Sequence, residues 1–244
     1  IKLKLFDIRD KKKVKSFISA SNPQIVFHLA AQPLILESYF KPYLTYTVNS
    51  IGTLNVLDAI KDNKSVKALL CITSDKCYES NNSTKGFKEN DKLGGEDPYS
   101  GSKACAEIII NTYFKSYFNK KKCGLASARA GNVIGGGDWS ENRLIPDAIN
   151  SIIKNKTIHI RNPNYNRPWQ HVMEPLYGYL ILAKKLYNEP RIYSGPWNFG
   201  TKKNTVTNVL QIVKEIVKFW GKGKITFKKK QKYYEQTNLQ LNIN

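Results

Sequence analysis

Apolar residues along the chain form two patterns, short continuous runs and longer repeats with helical spacing. The run at 68–72 is continuous, and we predict two further buried segments, a strand at 24–29 and a strand with its turn at 124–133, as in parallel sheets that are buried on both faces. Segment 42–61 instead places its apolar residues on one face of a helix, at Leu44, Val48, Ile51, Leu54, Leu57 and Ile60. Strands that alternate with helices predict an α/β fold with a doubly wound, parallel sheet.

Three further elements are predicted in the first half of the chain. Segment 1–6 alternates apolar residues with Lys, which is typical of a strand, and 11–20 is a short helix that ends at Ser21-Asn22-Pro23. Segment 98–118 is a helix, because Asp97 can act as its N-cap and Pro98 suits its first position. Between the strand at 68–72 and this helix, residues 79–96 are polar and contain Gly, so we predict a long loop.

The second half of the chain is predicted to contribute mainly a smaller lobe. Its elements are a helix at 144–154, a helix at 175–187, the segment 195–200 and a helix at 206–220. We therefore divide the chain into residues 1–133, a partial sheet domain, and residues 134–244, mainly a substrate-binding lobe.

Candidate chemistry lies directly after the strand at 68–72. Ser74, Asp75 and Lys76 place a hydroxyl, a carboxylate and an amine at its carboxyl end, where open α/β sheets bind ligands. In the helix at 98–118, Tyr99 and Lys103 are four residues apart and share one face. An ammonium beside a phenol favours the phenolate and lowers the pKa of the phenol. The set is suited to take a proton from a sugar or alcohol hydroxyl.

The formal net charge of +20 raises the alternative of a nucleic-acid-binding protein. The lysines are spread over most predicted helices and loops, with short runs at 11–13, 120–122 and 228–230. No zinc-finger, RNA-recognition or helix-turn-helix pattern accompanies them. We favour a solvated Lys-rich surface, which also suits an anionic substrate and cofactor.

The cysteines and histidines predict neither disulfides nor a metal site. Cys71, Cys77, Cys105 and Cys123 show no C-x-x-C spacing, and His28, His159 and His171 are scattered. Reduced thiols in the cytoplasm are the expected state. No run of about 18 apolar residues is present, so neither a membrane nor secretion is predicted.

These motifs together resemble the extended short-chain dehydrogenase/reductase family of nucleotide-sugar enzymes, over residues 7–200. The resemblance implies a Rossmann-like sheet and NAD as cofactor, with contacts from Asp7, Ile8, Leu29, Ala30, Ala31, Thr73, Tyr99 and Lys103. Asp7 has an equally good explanation as a turn or helix-capping residue, and His28 is interpreted as a core histidine. Leu36 departs from the family, which usually has Arg there.

The resemblance also implies a substrate, because the stretch Arg167 to Val172 matches relatives that act on CDP-glucose. Expected substrate contacts come from Asn132, Arg143, Arg167, Trp169 and His171. Arg can bind a diphosphate through two hydrogen bonds, while Trp169 could equally be a core residue. The glycines at 135–137 lack the Lys-Ser/Thr pair of a P-loop, which excludes that nucleotide site.

The implied reaction is the NAD-dependent 4,6-dehydration of CDP-glucose to CDP-4-keto-6-deoxyglucose, a step towards the deoxysugars of lipopolysaccharide O-antigen. Tyr99 and Lys103 would serve oxidation at C4, with Ser74 on the C4 oxygen. Asp75 would protonate the departing C6 hydroxyl, and Lys76 would either remove the C5 proton or polarise the ketone. The alternatives are another nucleotide-sugar dehydratase or an epimerase, which does not need Asp75 and Lys76, and a non-enzymatic nucleic-acid binder.

No Gly-x-x-Gly-x-x-Gly pattern occurs in the sequence, and the chain begins with Ile1. We expect a fragment without the first two strands of the family's sheet, the cofactor-binding turn and the C-terminal end. Their absence would leave unpaired strand edges at 1–6 and 24–29. The chain alone is therefore expected to be inactive, to bind NAD poorly and to aggregate. A homodimer through 42–61 and 98–118 is a possibility that the resemblance implies.

Overall fold

The computed structural model describes residues 2–80, 86–119, 122–201, 207–227 and 240–243. Several sequence predictions fall at least partly outside these ranges. They concern residue 1 of the first strand, part of the 79–96 loop, the lysine runs at 120–122 and 228–230, and the start of the helix at 206–220.

The described residues contain both strands and helices. The strands are β1 (Ile25–His28), β2 (Ala68–Ile72), β3 (Gly124–Ala130), β4 (Val133–Ile134), β5 (Ile158–Ile160), β6 (Asn166–Arg167), β7 (Gln170–His171), β8 (Gly195–Phe199), β9 (Thr207–Asn208) and β10 (Ile225–Phe227). The helices are α1 (Lys11–Ser21), α2 (Ile35–Phe40), α3 (Pro42–Tyr46), α4 (Gly52–Lys61), α5 (Pro98–Tyr113), α6 (Leu144–Ile153), α7 (Met173–Asn188), α8 (Pro190–Tyr193) and α9 (Val209–Trp220).

The main sheet has the strand order β1-β2-β3-β8, and every neighbouring pair in it is parallel. The two central strands are almost completely buried, because helices cover both faces of the sheet. Helices α1, α4 and α5 bury one face around Leu57, Leu69 and Leu125. Helix α7 covers the other face with Leu182 and Leu186. The predicted α/β class with a doubly wound, Rossmann-like sheet is confirmed.

The second half of the chain contributes more to the main sheet than the sequence suggested. Helix α7 and strand β8, which we assigned to the smaller lobe, pack on and extend the main sheet beside β3. The buried side chains that join α6, α9, β5 and β10 form a separate cluster, with Ala148, Ile152, Ile158 and Val213 among its members. The division at residue 133 as a domain boundary stays a prediction.

The predicted strand at 1–6 is wrong for residues 2–6, which have no regular secondary structure. Leu3 and Leu5 are 82% and 86% exposed. A strand requires a neighbour for its backbone N–H and C=O groups. Within the described residues, this segment has no such neighbour, and β1 forms one edge of the sheet.

The predicted helix at 42–61 forms, but its buried face differs from the expected stripe. Between α3 and α4, residues Thr47–Ile51 form a π-helical turn, which inserts an extra residue into the helical repeat. Ile51 is 45% exposed as a result, while Asn49 and Thr53 are buried. The face that packs towards α5 is therefore lined by small polar side chains.

The predicted start of the helix at 98–118 is confirmed in detail. Asp97 is the N-cap of α5, because its carboxylate accepts a hydrogen bond from the Ser100 backbone N–H at 2.9 Å. The Ser100 hydroxyl donates to the other carboxylate oxygen at 2.6 Å, and Pro98 occupies the first turn. Residues Phe114–Phe118 continue the helix as a second π-helical turn.

Within the described part of the chain, none of the helices has the length and apolar character that a membrane span requires.

Candidate active site

A short 3-10 turn after β2 presents the three predicted polar side chains. Ser74 begins this turn, and its hydroxyl accepts a hydrogen bond from the Lys76 backbone N–H at 3.2 Å. The Ser74 hydroxyl donates to the Asp75 carboxylate at 3.1 Å, and the Lys76 ammonium donates to the same oxygen at 3.1 Å. Asp75 is 1% exposed. The turn therefore holds a hydroxyl, a carboxylate and an amine in direct contact.

Tyr99 lies in the first turn of α5, next to Ser74. Burial raises the pKa of Tyr99 to about 12, and the hydrogen bond with Ser74 acts in the opposite direction. The negative charge of Asp75 raises this pKa further, whereas the positive charge of Arg143 lowers it. The expectation that Lys103 would bring about a lowered phenol pKa is thus not met in this structure, because burial outweighs the favourable charges.

Lys103 lies one turn after Tyr99 and is also buried. Its ammonium donates to the backbone carbonyl of Ile72, the last residue of β2, at 3.2 Å. Burial lowers the pKa of Lys103 to about 8, and the negative charge of Glu107 counteracts this effect. The two predicted helix residues thus share a face, and the amine is directed at the end of the strand that carries Ser74.

A cleft of about 920 Å³ opens in front of these side chains. It lies at the carboxyl ends of β2 and β3, the expected position for a ligand in this type of sheet. Most of the predicted catalytic and substrate-binding residues line it, namely Ser74, Asp75, Lys76, Tyr99, Asn132, Arg143, Arg167 and Trp169, together with Thr73. Leu36, where the family usually has Arg, also lines the cleft.

Two buried oxygen atoms at the cleft have no hydrogen-bond partner among the described residues. They are Oδ2 of Asp75 and Oδ1 of Asn132. A Cβ atom on Gly131 would lie 3.5 Å from this Asp75 oxygen, so the turn after β3 approaches Asp75 closely. Buried acceptors of this kind normally bind a partner, and hydroxyl groups of a sugar would supply one.

Cationic and aromatic side chains also line the cleft, namely Arg143, Arg167 and Trp169. Arg143 lies at the start of α6 and pairs with Asp138 at 3.3 Å. Arg167 is 8% exposed and lies over the ring of Tyr165, 5.3 Å from its centroid. The indole N–H of Trp169 donates to the Thr207 carbonyl at 3.2 Å. Trp169 is half-buried and also borders the cleft. Its position is thus compatible with core packing and with contact to a substrate.

The prediction that His171 lines the substrate site is not supported by its position. His171 is exposed and is not among the residues that line the cleft. It belongs to β7, in which the preceding Gln170 is buried. Neighbouring side chains of a strand point in opposite directions. Its ring nitrogen Nδ1 accepts a hydrogen bond from the Met173 backbone N–H at 3.3 Å.

Asp7 and Ile8 lie away from the cleft, beside α4. The Asp7 carboxylate binds the Arg9 guanidinium at 2.6 Å and the Arg9 backbone N–H at 2.8 Å. The hydrogen bonds to Arg9 lower the pKa of Asp7 to about 2. Ile8 packs against the core, and a Cβ atom on Gly52 would lie 2.8 Å from it. Asp7 thus has the turn role that the sequence allowed, whereas Asp10 is the N-cap of α1.

The segment after β1 has exposed side chains, and hydrogen bonds from Asn49 hold its backbone in place. Leu29 and Ala30 are exposed, and Ala31 is half-buried. Just after them, the Asn49 side chain accepts from the Gln32 backbone N–H at 2.8 Å and donates to the Gln32 carbonyl at 3.0 Å. Its amide also donates to the Ser102 hydroxyl at 2.9 Å. Asn49 therefore connects the segment after β1 to α5.

The sequence analysis missed a buried ion pair behind the site. Glu107 and Arg129 are each 3% exposed and are joined at 2.6 Å. Two signals were available. Glu107 continues the four-residue spacing of Tyr99 and Lys103, and Arg129 is a charged residue within the buried run of β3.

Comparison with known proteins places these features in a family context. The CDP-glucose 4,6-dehydratase of Salmonella typhimurium is 47% identical over 220 residues, which cover 88% of this chain and 61% of that protein. The chain spans about three fifths of the length of the first curated relatives it matches.

Solved structures of low sequence identity share the fold. The UDP-glucose 4-epimerase of Thermus thermophilus, in complex with NAD, is 21% identical with a TM-score of 0.84. It matches 97% of this chain, which covers 75% of the epimerase. The dTDP-glucose 4,6-dehydratase DesIV of Streptomyces venezuelae, with NAD and TYD bound, is 18% identical with a TM-score of 0.83. This match covers 97% of this chain and 69% of DesIV.

A family model extends over almost the whole sequence and agrees with the resemblance to nucleotide-sugar enzymes of the extended short-chain dehydrogenase/reductase type. It is described as GDP-mannose 4,6 dehydratase, and it matches residues 1–240. The chain belongs to this family.

Proposed function

We propose that this chain carries the active site of an NAD-dependent lyase that converts CDP-glucose to CDP-4-keto-6-deoxyglucose. The observation that supports it most is the arrangement of Tyr99, Ser74, Asp75 and Lys76 along one wall of the cleft. Oxidation of a hydroxyl requires only Tyr99 and its neighbours. The acid–amine pair beside them is suited to the loss of water that follows.

In this proposal each side chain moves or holds one proton. Tyr99 accepts the proton of the sugar's C4 hydroxyl, while Ser74 donates a hydrogen bond to the C4 oxygen. The C4 ketone acidifies the C5 proton, which Lys76 removes when its amine is neutral; a protonated Lys76 would instead polarise the ketone. Asp75 donates a proton to the C6 hydroxyl, which leaves as water. C5 regains a proton as hydride is added at C6, and the sum is then the loss of one water molecule.

The residues around the carboxyl end of β1 fit a dinucleotide. Leu29 and Ala30 are exposed, and the small alanine side chain allows a close approach to the backbone. Lys103 would hold the cofactor ribose, with Ala31 and Thr73 beside it and Asp7 and Ile8 at the adenine. The chemistry that NAD supplies when bound is reversible hydride transfer between C4 and C6 of the sugar.

CDP-glucose is proposed as the substrate because of the 47% identical CDP-glucose 4,6-dehydratase. Arg143 and Arg167 supply positive charge for a diphosphate, and Trp169 offers a flat surface for a base or a sugar. The unpartnered oxygen of Asn132 accepts a hydrogen bond from a sugar hydroxyl. His171 is left out of this set.

The test is to incubate the protein with CDP-glucose and excess NAD and to identify the product by mass spectrometry. A CDP-sugar that has lost one water supports the proposal, and CDP-galactose would favour the epimerase alternative. dTDP-glucose and UDP-glucose, run in parallel, report on the nucleotide. Since the chain has no Gly-rich turn, we expect it to be inactive alone. The assay therefore includes the same chain preceded by the Gly-rich βαβ unit of a relative.

Three broader features accompany the proposal. We propose a cytoplasmic enzyme of deoxysugar biosynthesis that acts on a small molecule, without nucleic-acid or membrane partners. A homodimer through α3, α4 and α5 is proposed, and exposed apolar side chains on these helices, Tyr43 and Ile108 among them, support it. Size-exclusion chromatography with light scattering tests the dimer.

A further inference from the structure

Glu107 belongs to the same stripe of α5 as the two catalytic side chains. Tyr99, Lys103 and Glu107 follow one another at four-residue intervals and are 7%, 5% and 3% exposed. The stripe therefore faces the sheet along its whole length. Glu107 is buried one turn beyond Lys103, and no step of the proposed reaction uses it.

The Glu107 carboxylate is held by donors from both central strands. One oxygen accepts from the Thr73 hydroxyl at the end of β2. The other accepts from the Ser127 hydroxyl at 2.9 Å and from the Arg129 guanidinium at 2.6 Å, both in β3. Three donors on one buried carboxylate fix its position.

Arg129 extends this arrangement away from the helix. Its guanidinium also donates to the Tyr78 hydroxyl at 2.8 Å and to the Glu89 carbonyl at 2.9 Å. Burial opposes its charge, but the hydrogen bond and the charge of Glu107 raise the pKa of Arg129 above its ordinary value. Glu107 is thereby anchored to β3 and, through Arg129, to the loop after Ser74.

Lys103 requires a compensating charge at its buried position. The titratable groups that face it are Glu107 on its own helix, Cys71 on β2, Cys77 in the turn and His28 on β1. Burial keeps His28 neutral in the neutral pH range and raises the pKa of both thiols, so these groups carry no charge there. Among these groups, Glu107 supplies the negative charge.

We propose that Glu107 is a positioning residue for Lys103: its buried carboxylate, fixed by Thr73, Ser127 and Arg129, keeps the Lys103 ammonium protonated and directed at the end of β2. The inference rests on the proposed function, in which Lys103 holds the cofactor ribose, and a protonated Lys103 has more hydrogen-bond donors for this than a neutral one. It adds a residue that touches neither substrate nor cofactor.

The test follows the protonation of Lys103 directly and without substrate. The 244-residue chain is labelled with ¹³C at the lysine Cε, and the Lys103 signal is assigned by its loss in Lys103→Arg. We expect a midpoint of about 8 in the unchanged chain. In Glu107→Gln, which removes the charge and keeps the shape, the midpoint should fall by about one unit or more.

Two variants separate the charge of Glu107 from its packing. Ser127→Ala removes one hydrogen bond to the carboxylate but keeps its charge, so the Lys103 midpoint should stay within about 0.3 units. Glu107→Asp keeps the charge and should restore most of the midpoint. An unchanged midpoint in folded Glu107→Gln, or an equal fall in Ser127→Ala, would overturn the proposal.

If Glu107→Gln does not fold, the double variant Glu107→Gln/Arg129→Met removes both buried charges together, which proteins tolerate better than one unpaired charge. The Lys103 midpoint should again fall, but by less than in Glu107→Gln, because the positive charge of Arg129 is removed as well; no fall would again overturn the proposal. Because the titration uses neither CDP-glucose nor NAD, its outcome is independent of whether the proposed reaction occurs.

Discussion

The two carboxylate oxygens of Asp75 differ in their contacts. One carboxylate oxygen contacts both Ser74 and Lys76, whereas the other is buried without a partner among the described residues. Asp75→Asn keeps the size of the side chain and removes its ability to donate a proton to a leaving hydroxyl. We expect product formation to fall by about 10²-fold or more. The measurement is the rate at which the chain, preceded by the Gly-rich βαβ unit of a relative, forms the 4-keto-6-deoxy product.

Glu141→Gln is the matched control for Asp75→Asn, because Glu141 is an exposed carboxylate on the rim of the same cleft. It should leave the rate nearly unchanged. Asp75→Asn at the full rate would exclude Asp75 as the acid.

Lys76 has a separate test, since in the proposed reaction its amine acts only after C4 is oxidised. Lys76→Ala should block water loss while Tyr99 and Ser74 remain in place. Exchange of the C5 proton with deuterated solvent distinguishes a base, whose loss abolishes exchange, from a group that only polarises the ketone. A variant that still eliminates water at the normal rate would remove Lys76 from the mechanism.

His28 predicts a pH dependence of stability. Burial and the charge of Lys103 lower its pKa to about 4 from 6.5. The unfolded chain therefore binds the proton more readily between pH 6.5 and 4, so the stabilisation is complete above pH 6.5 and is lost as the pH falls towards 4. At pH 4.5 the loss is about 2–3 kcal/mol.

The measurement is the free energy of unfolding in denaturant at pH 7 and pH 4.5. His28→Gln cannot titrate, and its amide can still reach Thr53, which lies 2.9 Å from Nε2 of His28. Carboxylates also titrate in this range, so the difference between the two proteins isolates His28. Equal pH dependence in both would contradict the prediction.

At the scale of elements, the contact of α7 with the main sheet depends on Gly124 at the start of β3. A Cβ atom there would lie 2.8 Å from the Leu186 backbone carbonyl oxygen and 2.9 Å from its side chain. The backbone oxygen cannot rotate away, so Gly124→Ala must displace α7 from β3. We expect a loss of about 1–3 kcal/mol in the free energy of unfolding.

Gly136→Ala is the control for this prediction. An added Cβ at Gly136 meets nothing within 4 Å, and its stability should stay within about 0.5 kcal/mol of the original chain. Equal stability of both variants would show that α7 adjusts without loss.

Elements with local signals could be predicted from the sequence, and those that depend on distant partners could not. Asp97 and Pro98 define the start of α5 through contacts within one turn, so this helix was predicted correctly. The segment 2–6 has a strand pattern, but it has no neighbouring strand in the part of the chain that the structure describes and is irregular. The exposure of Ile51 follows from a π-helical turn, and no residue type in the stretch predicts such a turn.

In the candidate site, too, some residue positions could be predicted from the sequence, whereas others depend on contacts between distant parts of the chain. Ser74, Asp75, Lys76 and Tyr99 could be predicted to meet because the end of a parallel strand and the start of the next helix lie at one edge of a sheet. The exposed position of His171 could not be predicted from the sequence, since its orientation depends on the pairing of β7 with β4. The ion pair of Glu107 with Arg129 joins residues 22 apart and required the packed sheet to be recognised.

At the scale of the whole molecule, the high positive charge and an exposed sheet edge have opposite effects on association between copies of the chain. The net charge of +20 favours repulsion between copies. Strand β1, however, is an edge strand, and Ile25, Phe27 and Leu29 are 39%, 37% and 53% exposed. Unpaired backbone groups beside apolar side chains are a template for association. We therefore expect self-association that increases with salt, because salt screens the repulsion.

Phe27→Lys tests this expectation at the edge itself. A charged side chain on an edge strand disfavours pairing with another chain, so light scattering at about 1 M salt, where the Debye length is about 3 Å, should decrease markedly. Phe219→Lys is the matched control, since it adds the same charge and removes an aromatic side chain that is 89% exposed at the end of α9. If both variants reduce scattering equally, association is a general effect of apolar exposure. If only Phe27→Lys reduces scattering, copies of the chain associate through the β1 edge. The same edge lies where the family's cofactor-binding strands are expected, which is why we also expect this chain to bind NAD poorly.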